Sequence, residues 1–134
     1  VVLYLKELMT VINCGTCAWL DWNMLLDHHG GPSYCHNYVK SPVILNESDD
    51  DFILTPIYTA LKKFAAYFPA GSEIIRCEFD SDSVLSVARK CGETYEVVVA
   101  NVTSEECVQD IIISCGKTQK QLTLKRDEIK VVKL

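Results

Sequence analysis

The sequence predicts an α+β fold in which two helices precede a region of antiparallel strands. Apolar residues recur at helical spacing in two segments, residues 1–13 and 55–68. After Gly71 the apolar pattern has a period of about two residues, and turn residues recur roughly every ten positions. The chain has 134 residues, 49% of them hydrophobic, which is enough for a substantial core.

The first predicted helix, residues 1–13, places Leu5 and Leu8 on one apolar face. Gly15 follows where a helix cap requires a left-handed backbone. Residues 16–23 then form a short apolar run with an aromatic bias, for which we predict a buried strand rather than a second helix.

Residues 26–55 are predicted to be one long connection, because they hold Gly-Gly-Pro, Ser-Pro and an acidic cluster. Long loops in compact domains are commonly functional. The second predicted helix has Thr55 as its N-cap and Pro56 at its first position, and Pro69 ends it.

Six strands are predicted after the second helix, from the alternation of apolar and polar residues. Antiparallel strands joined by short turns form a meander, which is typical of one or both sheets of a β-sandwich. The predicted strands are residues 73–79, 83–89, 94–102, 107–114, 120–126 and 129–134.

Charge and hydropathy exclude two classes of partner. The net charge is −5 and the acidic residues are scattered through predicted loops, whereas a nucleic-acid surface needs clustered lysine and arginine. The longest apolar runs are about half of the roughly 20 residues that a membrane-spanning helix requires. We therefore expect no nucleic-acid partner and no transmembrane segment.

Cys14 and Cys17 form a C-x-x-C pair that is followed by His28, His29, Cys35 and His36, as in a zinc or redox centre. A zinc site needs four converging ligands, and a redox pair needs the N-terminus of a helix. This pair instead follows a predicted helix and precedes a predicted strand. We therefore expect free thiols and loop histidines, with no cofactor and no bound metal.

The run "WLDWN" offers two interpretations. Trp19 and Trp22 are three residues apart, so on a strand they lie on opposite faces and cannot both be core residues. One interpretation is a sugar platform, in which an indole packs on the C–H face of a sugar and the polar neighbours bind hydroxyl groups. The other is that both indoles are packing residues.

A longer set of residues resembles glycoside hydrolase family 30, the family of acid β-glucosidase. The resemblance begins at W-x-D-W-N and continues through G-G-P, an asparagine, S-P and a helix that ends in F-P-x-G-S. The residues that carry it are Trp19, Asp21, Trp22, Asn23, Gly30, Gly31, Pro32, Asn37, Ser41, Pro42, Pro56, Tyr58, Leu61, Phe64, Phe68, Pro69, Gly71 and Ser72.

The resemblance implies a (β/α)8 barrel with a side β-sandwich. Residues 1–70 would then be the C-terminal end of the barrel, with helix 7, strand 8 and helix 8, and residues 71–134 would be the antiparallel sandwich domain. Family members hydrolyse glycosides with retention, using two glutamates that end the fourth and seventh strands of the barrel. Both would precede Val1, so the resemblance implies no catalytic residue in this chain.

The resemblance also implies substrate contacts. Trp22 would form the indole wall of the sugar pocket, Asn37 would reach the sugar from the following loop, and Tyr38 would flank the pocket. The sequence departs from the family at Ser33 and Tyr34, where asparagine and tryptophan are usual, and this leaves the aglycone specificity open. In a eukaryote the family resemblance would imply a lysosomal or secreted enzyme.

The expected function is therefore that of a C-terminal fragment of a retaining glycosidase acting on β-linked glucosides, with glucosylceramide as one candidate substrate. The expected partners are a β-glucoside or glucosylceramide-like substrate, and the missing N-terminal part of the enzyme or a second copy of the chain. The alternative is a non-catalytic sandwich module that binds a carbohydrate or a protein partner.

Overall fold

The computed structural model describes residues 1–48, 50–78, 81–103 and 107–134. Within them the chain is a mixed α+β protein with two α-helices and nine β-strands. The strands form three sheets, with four, three and two members. The chain divides into two compact units, and the first combines Val1–Cys17 with Ala66–Leu134. The second unit is Ala18–Ala65.

Helix α1 (Val2–Asn13) confirms the first predicted helix. Its apolar spacing places Leu5, Leu8 and Met9 in the core, where each is at most 5% exposed. Gly15, with φ of 89°, follows the helix, and its N–H donates to the carbonyl of Ile12 at 2.9 Å. The predicted left-handed cap is therefore present.

The sheet of the first unit has the order β4-β5-β6-β9, and each neighbouring pair is antiparallel. Strands β7 and β8 form a separate two-stranded hairpin. All six strands predicted after Gly71 are present. They do not form one continuous meander, because β7 and β8 pair only with each other and β9 pairs with β6. The strands are β4 (Glu73–Ile75), β5 (Val84–Cys91), β6 (Thr94–Asn101), β7 (Gln109–Cys115), β8 (Thr118–Leu124) and β9 (Ile129–Lys133).

A core cluster joins this sheet to the hairpin. Its buried members are Val84, Ala88, Val97, Val99 and Leu124, and half-buried side chains of β7 and β8 pack against them. Alternate residues of a strand point to opposite faces, so the neighbouring buried residues of β5 and β6 lie on the other face of the sheet. Helix α1 packs on β5 and β4. The middle strands are therefore buried on both faces.

The second unit holds a small sheet and most of helix α2 (Pro56–Tyr67). Strands β1 (Leu25–Leu26) and β2 (Val43–Leu45) pair in parallel, and β3 (Phe52–Leu54) pairs antiparallel with β2. The second predicted helix is thus confirmed. The hydroxyl of Thr55, at the start of this helix, donates to the carbonyls of Ser41 and Pro42, each at 2.9 Å.

Two local predictions for the second unit are wrong. Residues 16–23 are not a strand, because in the described part of the chain they pair with no other strand, and a strand requires a hydrogen-bonded neighbour. The strand found there is only Leu25–Leu26. Residues 26–55 are also not one long connection, since they contain β2 and β3.

The boundary expected at residue 70 remains a prediction. The two compact units are divided differently, because α1 packs on the strands that follow Gly71.

Candidate functional site

The tryptophan segment precedes β1. The indole of Trp22 is 82% exposed, whereas Trp19 is half-buried. The backbone N–H of Trp22 donates to Oδ1 of Asp21 at 2.9 Å. The two indoles therefore differ in exposure, but the predicted strand that would have placed them on opposite faces is absent. Trp22 presents a large apolar ring to the solvent, which is the property that a sugar-stacking residue needs.

Asp27 shapes the loop that follows β1. Its Oδ1 accepts the N–H of His29 at 2.9 Å and that of Gly31 at 2.8 Å, and its own N–H donates to the Gly31 carbonyl at 2.8 Å. The hydrogen bond from Gly31, followed by those from His29 and Gly30, holds the pKa of Asp27 below its ordinary value. Asp27 therefore stays ionised near neutral pH and folds the loop.

Gly30 and Gly31 let two parts of this loop approach closely. Gly30 has φ of 92°, and a Cβ added to it would lie 2.3 Å from the carbonyl oxygen of Val39. The N–H of Val39 donates to the Gly30 carbonyl at 3.2 Å. A Cβ on Gly31 would lie 3.4 Å from Cε1 of Tyr38. The edge of the Tyr38 ring therefore lies against the Gly31 backbone.

A second turn, residues 33–37, holds Asn37. The N–H of Asn37 donates to Oγ of Ser33 at 3.0 Å, and the same Oγ lies 3.7 Å from Sγ of Cys35. The contact of the Ser33 hydroxyl with Cys35, followed by the backbone N–H of Asn37, lowers the pKa of the Cys35 thiol. His36, between Cys35 and Asn37, adopts φ of 58°, which is uncommon for a residue other than glycine.

The three predicted contact residues all lie in the second unit and all are exposed. Tyr38 is 54% exposed, and its ring centroid is 6.3 Å from that of His36. In the described residues no hydrogen bond or ring contact joins Trp22, Asn37 and Tyr38 to one another. Their common role in one sugar pocket therefore stays a prediction. The sequence did not indicate Ser33, because its contact with Asn37 depends on the turn.

The cysteines and histidines do not converge. All seven cysteines are free, and Cys14 and Cys17 are exposed. The rings of His28 and His29 lie 3.8 Å apart. Among the residues that the structure describes, no group of three histidine, cysteine, aspartate or glutamate side chains is placed to hold a metal ion.

The first unit contains a cavity of about 700 Å³ between β5, β6 and β7. Its walls include the aliphatic residues Val84, Val97 and Ile111, and Cys77 and Cys115 also line it. Burial raises the pKa of the Cys77 thiol, so this thiol stays protonated and unreactive near neutral pH. No pattern in the sequence indicates this cavity.

Comparison with known proteins identifies the relationship. The sequence profile of the glycosyl hydrolase family 30 TIM-barrel domain matches residues 2–68. Putative glucosylceramidase 3 of Caenorhabditis elegans is 28% identical over 116 residues, which are 84% of this chain and 22% of that protein. Lysosomal acid glucosylceramidase of Mus musculus is 30% identical over 106 residues, which are 77% of this chain and 20% of that protein. The chain thus spans about a fifth of the length of these relatives.

Two solved structures share the fold. SrfJ from Salmonella typhimurium superposes with a TM-score of 0.82 and 19% identity, covering 98% of this chain and 29% of SrfJ. The endo-β1,6-glucanase BT3312 superposes with a TM-score of 0.58 and 20% identity, covering 81% of this chain and 25% of that enzyme. Neither described helix is long and apolar enough to cross a membrane.

Proposed function

Because the chain belongs to glycosyl hydrolase family 30, we propose that it is the C-terminal part of a retaining glycosidase that hydrolyses β-linked glucosides. The observation that carries the proposal is the family match over residues 2–68, which includes exposed Trp22, Asn37 and Tyr38. The glucosylceramidase names of the two relatives support glucosylceramide as a substrate.

In this proposal the chain supplies contacts to the sugar. The indole of Trp22 stacks on the C–H face of the glucose ring, since an exposed aromatic face suits that apolar surface. The side-chain amide of Asn37 can both donate to and accept from sugar hydroxyl groups. Tyr38 adds an aromatic wall, and its ring lies close to Gly31.

The catalytic carboxylates are proposed to lie in the polypeptide that precedes this chain in the longer enzyme. Retaining hydrolysis needs two carboxyl groups about 5 Å apart, one of them a proton donor with a raised pKa. The side chains of Asp27, Asp50, Glu96 and Glu128 all have lowered pKa values, because each accepts hydrogen bonds in its charged form. None of these four is suited to be the proton donor.

The proposed architecture follows from the same family membership. Residues 1–70 complete a (β/α)8 barrel, and the sheets after Gly71 are part of a β-sandwich. The three-stranded sheet of the second unit supports a further partner. Register places Leu25, Phe52 and Leu54 on one face of that sheet, and all three are about half exposed. We expect the upstream polypeptide or a second copy of the chain to cover this face.

The test is hydrolysis of an aryl β-glucoside by two proteins, the purified 134-residue chain and the longer enzyme. The longer enzyme is expected to release the aryl group, whereas the chain alone is expected to be inactive. A hydrolytic activity that co-purifies with the 134-residue chain would contradict the upstream location of the carboxylates. A longer enzyme that binds glucosides without hydrolysing them would favour the binding-module alternative.

A further inference from the structure

We propose that Ser33 is a positioning residue, which holds Asn37 where its side-chain amide can bind a sugar hydroxyl group. The proposal rests on the proposed function of Asn37. It starts from the 3.0 Å hydrogen bond in which the N–H of Asn37 donates to Oγ of Ser33. Through this contact a side chain four residues earlier holds the backbone of Asn37, while the side chain of Asn37 remains exposed.

The same serine hydroxyl has a second contact. Its oxygen accepts the N–H of Asn37, so its own hydrogen is available to Sγ of Cys35, 3.7 Å away. Ser33 therefore joins both ends of a turn that contains His36 in a left-handed conformation. Such a backbone is uncommon for a residue other than glycine, and the two contacts of the hydroxyl help to stabilise it.

Asn37 and Tyr38 are held by different groups, although they are neighbours in the sequence. Asp27 fixes Gly31, against which the Tyr38 ring lies, and Ser33 fixes Asn37. Loss of the serine hydroxyl is therefore expected to release Asn37 while the Asp27 hydrogen bonds remain. This separation distinguishes a positioning role from a general role in folding the loop.

A conservative substitution tests the role of the Ser33 hydroxyl. Threonine retains a hydroxyl oxygen that can accept the Asn37 N–H, whereas alanine has no acceptor. Ser33→Thr should therefore preserve the hydrogen bond to the Asn37 N–H that Ser33→Ala removes.

The first test measures hydrogen exchange of backbone amides in the 134-residue chain by NMR. In Ser33→Ala the Asn37 amide should lose its protection, and the Gly31 amide should keep its protection. Ser33→Thr should restore protection at Asn37. Cys35→Ala removes only the sulfur contact of the Ser33 hydroxyl, so the Asn37 amide should lose less protection in Cys35→Ala than in Ser33→Ala. An Asn37 amide that is equally protected in Ser33→Ala and in the unmodified chain would overturn the positioning role.

The second test measures kcat and KM for an aryl β-glucoside with the longer enzyme. Ser33→Ala should raise KM roughly threefold to tenfold, the range for one hydrogen bond, with little change in kcat. Ser33→Thr should behave as the unmodified enzyme, and Cys35→Ala should raise KM less than Ser33→Ala does. If the Asn37 amide of Ser33→Ala loses its protection and KM is unchanged, the link between Ser33 and sugar binding would be overturned. An unmodified enzyme that hydrolyses no β-glucoside would instead refute the proposed function, and the exchange measurement would still decide the positioning role.

Discussion

The two compact units bury their apolar side chains to different degrees. In the first unit, residues 97–102, which form the second half of β6 and the residue after it, are all buried, because the sheet is covered on both faces. In the second unit, all three residues of β3 are exposed, as is Leu20 at 91%. The strands of the first unit thus have their core within the chain, and the second unit presents apolar and aromatic groups outward. This arrangement suits a unit that contacts a substrate and further polypeptide.

A leucine substitution in each unit gives the largest expected contrast. Leu124 is fully buried in the core cluster, so Leu124→Ala should lower the free energy of unfolding by about 2–5 kcal/mol. Leu20→Ala removes the same atoms from an exposed position and should change it by less than about 0.5 kcal/mol. Urea denaturation measures both. Similar losses from the two variants would contradict the contrast between the units.

Two glycines sharpen the comparison at the level of the backbone. Gly30 and Gly15 have nearly the same φ, 92° and 89°, so alanine has a similar conformational cost at each. Only at Gly30 would the new Cβ meet another atom, the Val39 carbonyl oxygen at 2.3 Å. Gly30→Ala should therefore cost about 1–3 kcal/mol more than Gly15→Ala in chemical denaturation. Equal costs would mean that the loop moves freely away from Val39.

The smallest expected effect concerns pH and the sheet of the first unit. Arg89 donates to Oε2 of Glu96 at 2.6 Å, and Lys133 lies 3.1 Å from Oε1. These contacts, Arg89 foremost, lower the pKa of Glu96. A lowered pKa in the folded state means that the stabilisation is present above the ordinary glutamate pKa and is lost as the pH falls through the lowered value.

Glu96→Gln should therefore reduce the loss of stability on acidification, measured as the thermal midpoint at a series of acidic pH values. Glu93→Gln is the matched control, since Glu93 is exposed in the adjacent turn. A pH dependence that changes equally in both variants would show that the Glu96 contacts are not its source.

The helices and the strands after Gly71 could be predicted because their signals are local. Apolar spacing of 3.6 residues defines α1 and α2, and a period of two defines the strands. Residues 16–23 were wrongly predicted as a strand for the complementary reason. A short apolar run shows that a segment is suited to a strand, but its pairing depends on residues that are distant in sequence.

The sequence indicates candidate contact residues, whose role stays a prediction, but it does not specify the geometry around them. The family resemblance indicates Trp22, Asn37 and Tyr38, and their contact with a sugar remains a prediction. The hydrogen bond from Asn37 to Ser33 could not be predicted, because it depends on the left-handed backbone of His36. The approach of Gly30 to Val39 likewise requires a fold over nine residues, which composition alone does not specify.

The most direct test of the account compares Trp22→Ala with Trp19→Ala in the longer enzyme. Trp22 is 82% exposed and is proposed to stack on the sugar, whereas Trp19 is half-buried. Trp22→Ala should lower kcat/KM for an aryl β-glucoside by about tenfold or more, the value of one lost aromatic contact, with little loss of stability. Trp19→Ala should lower the thermal midpoint instead. Equal kinetic damage from both substitutions, with no loss of stability in either, would contradict the assignment of Trp22 to the sugar pocket.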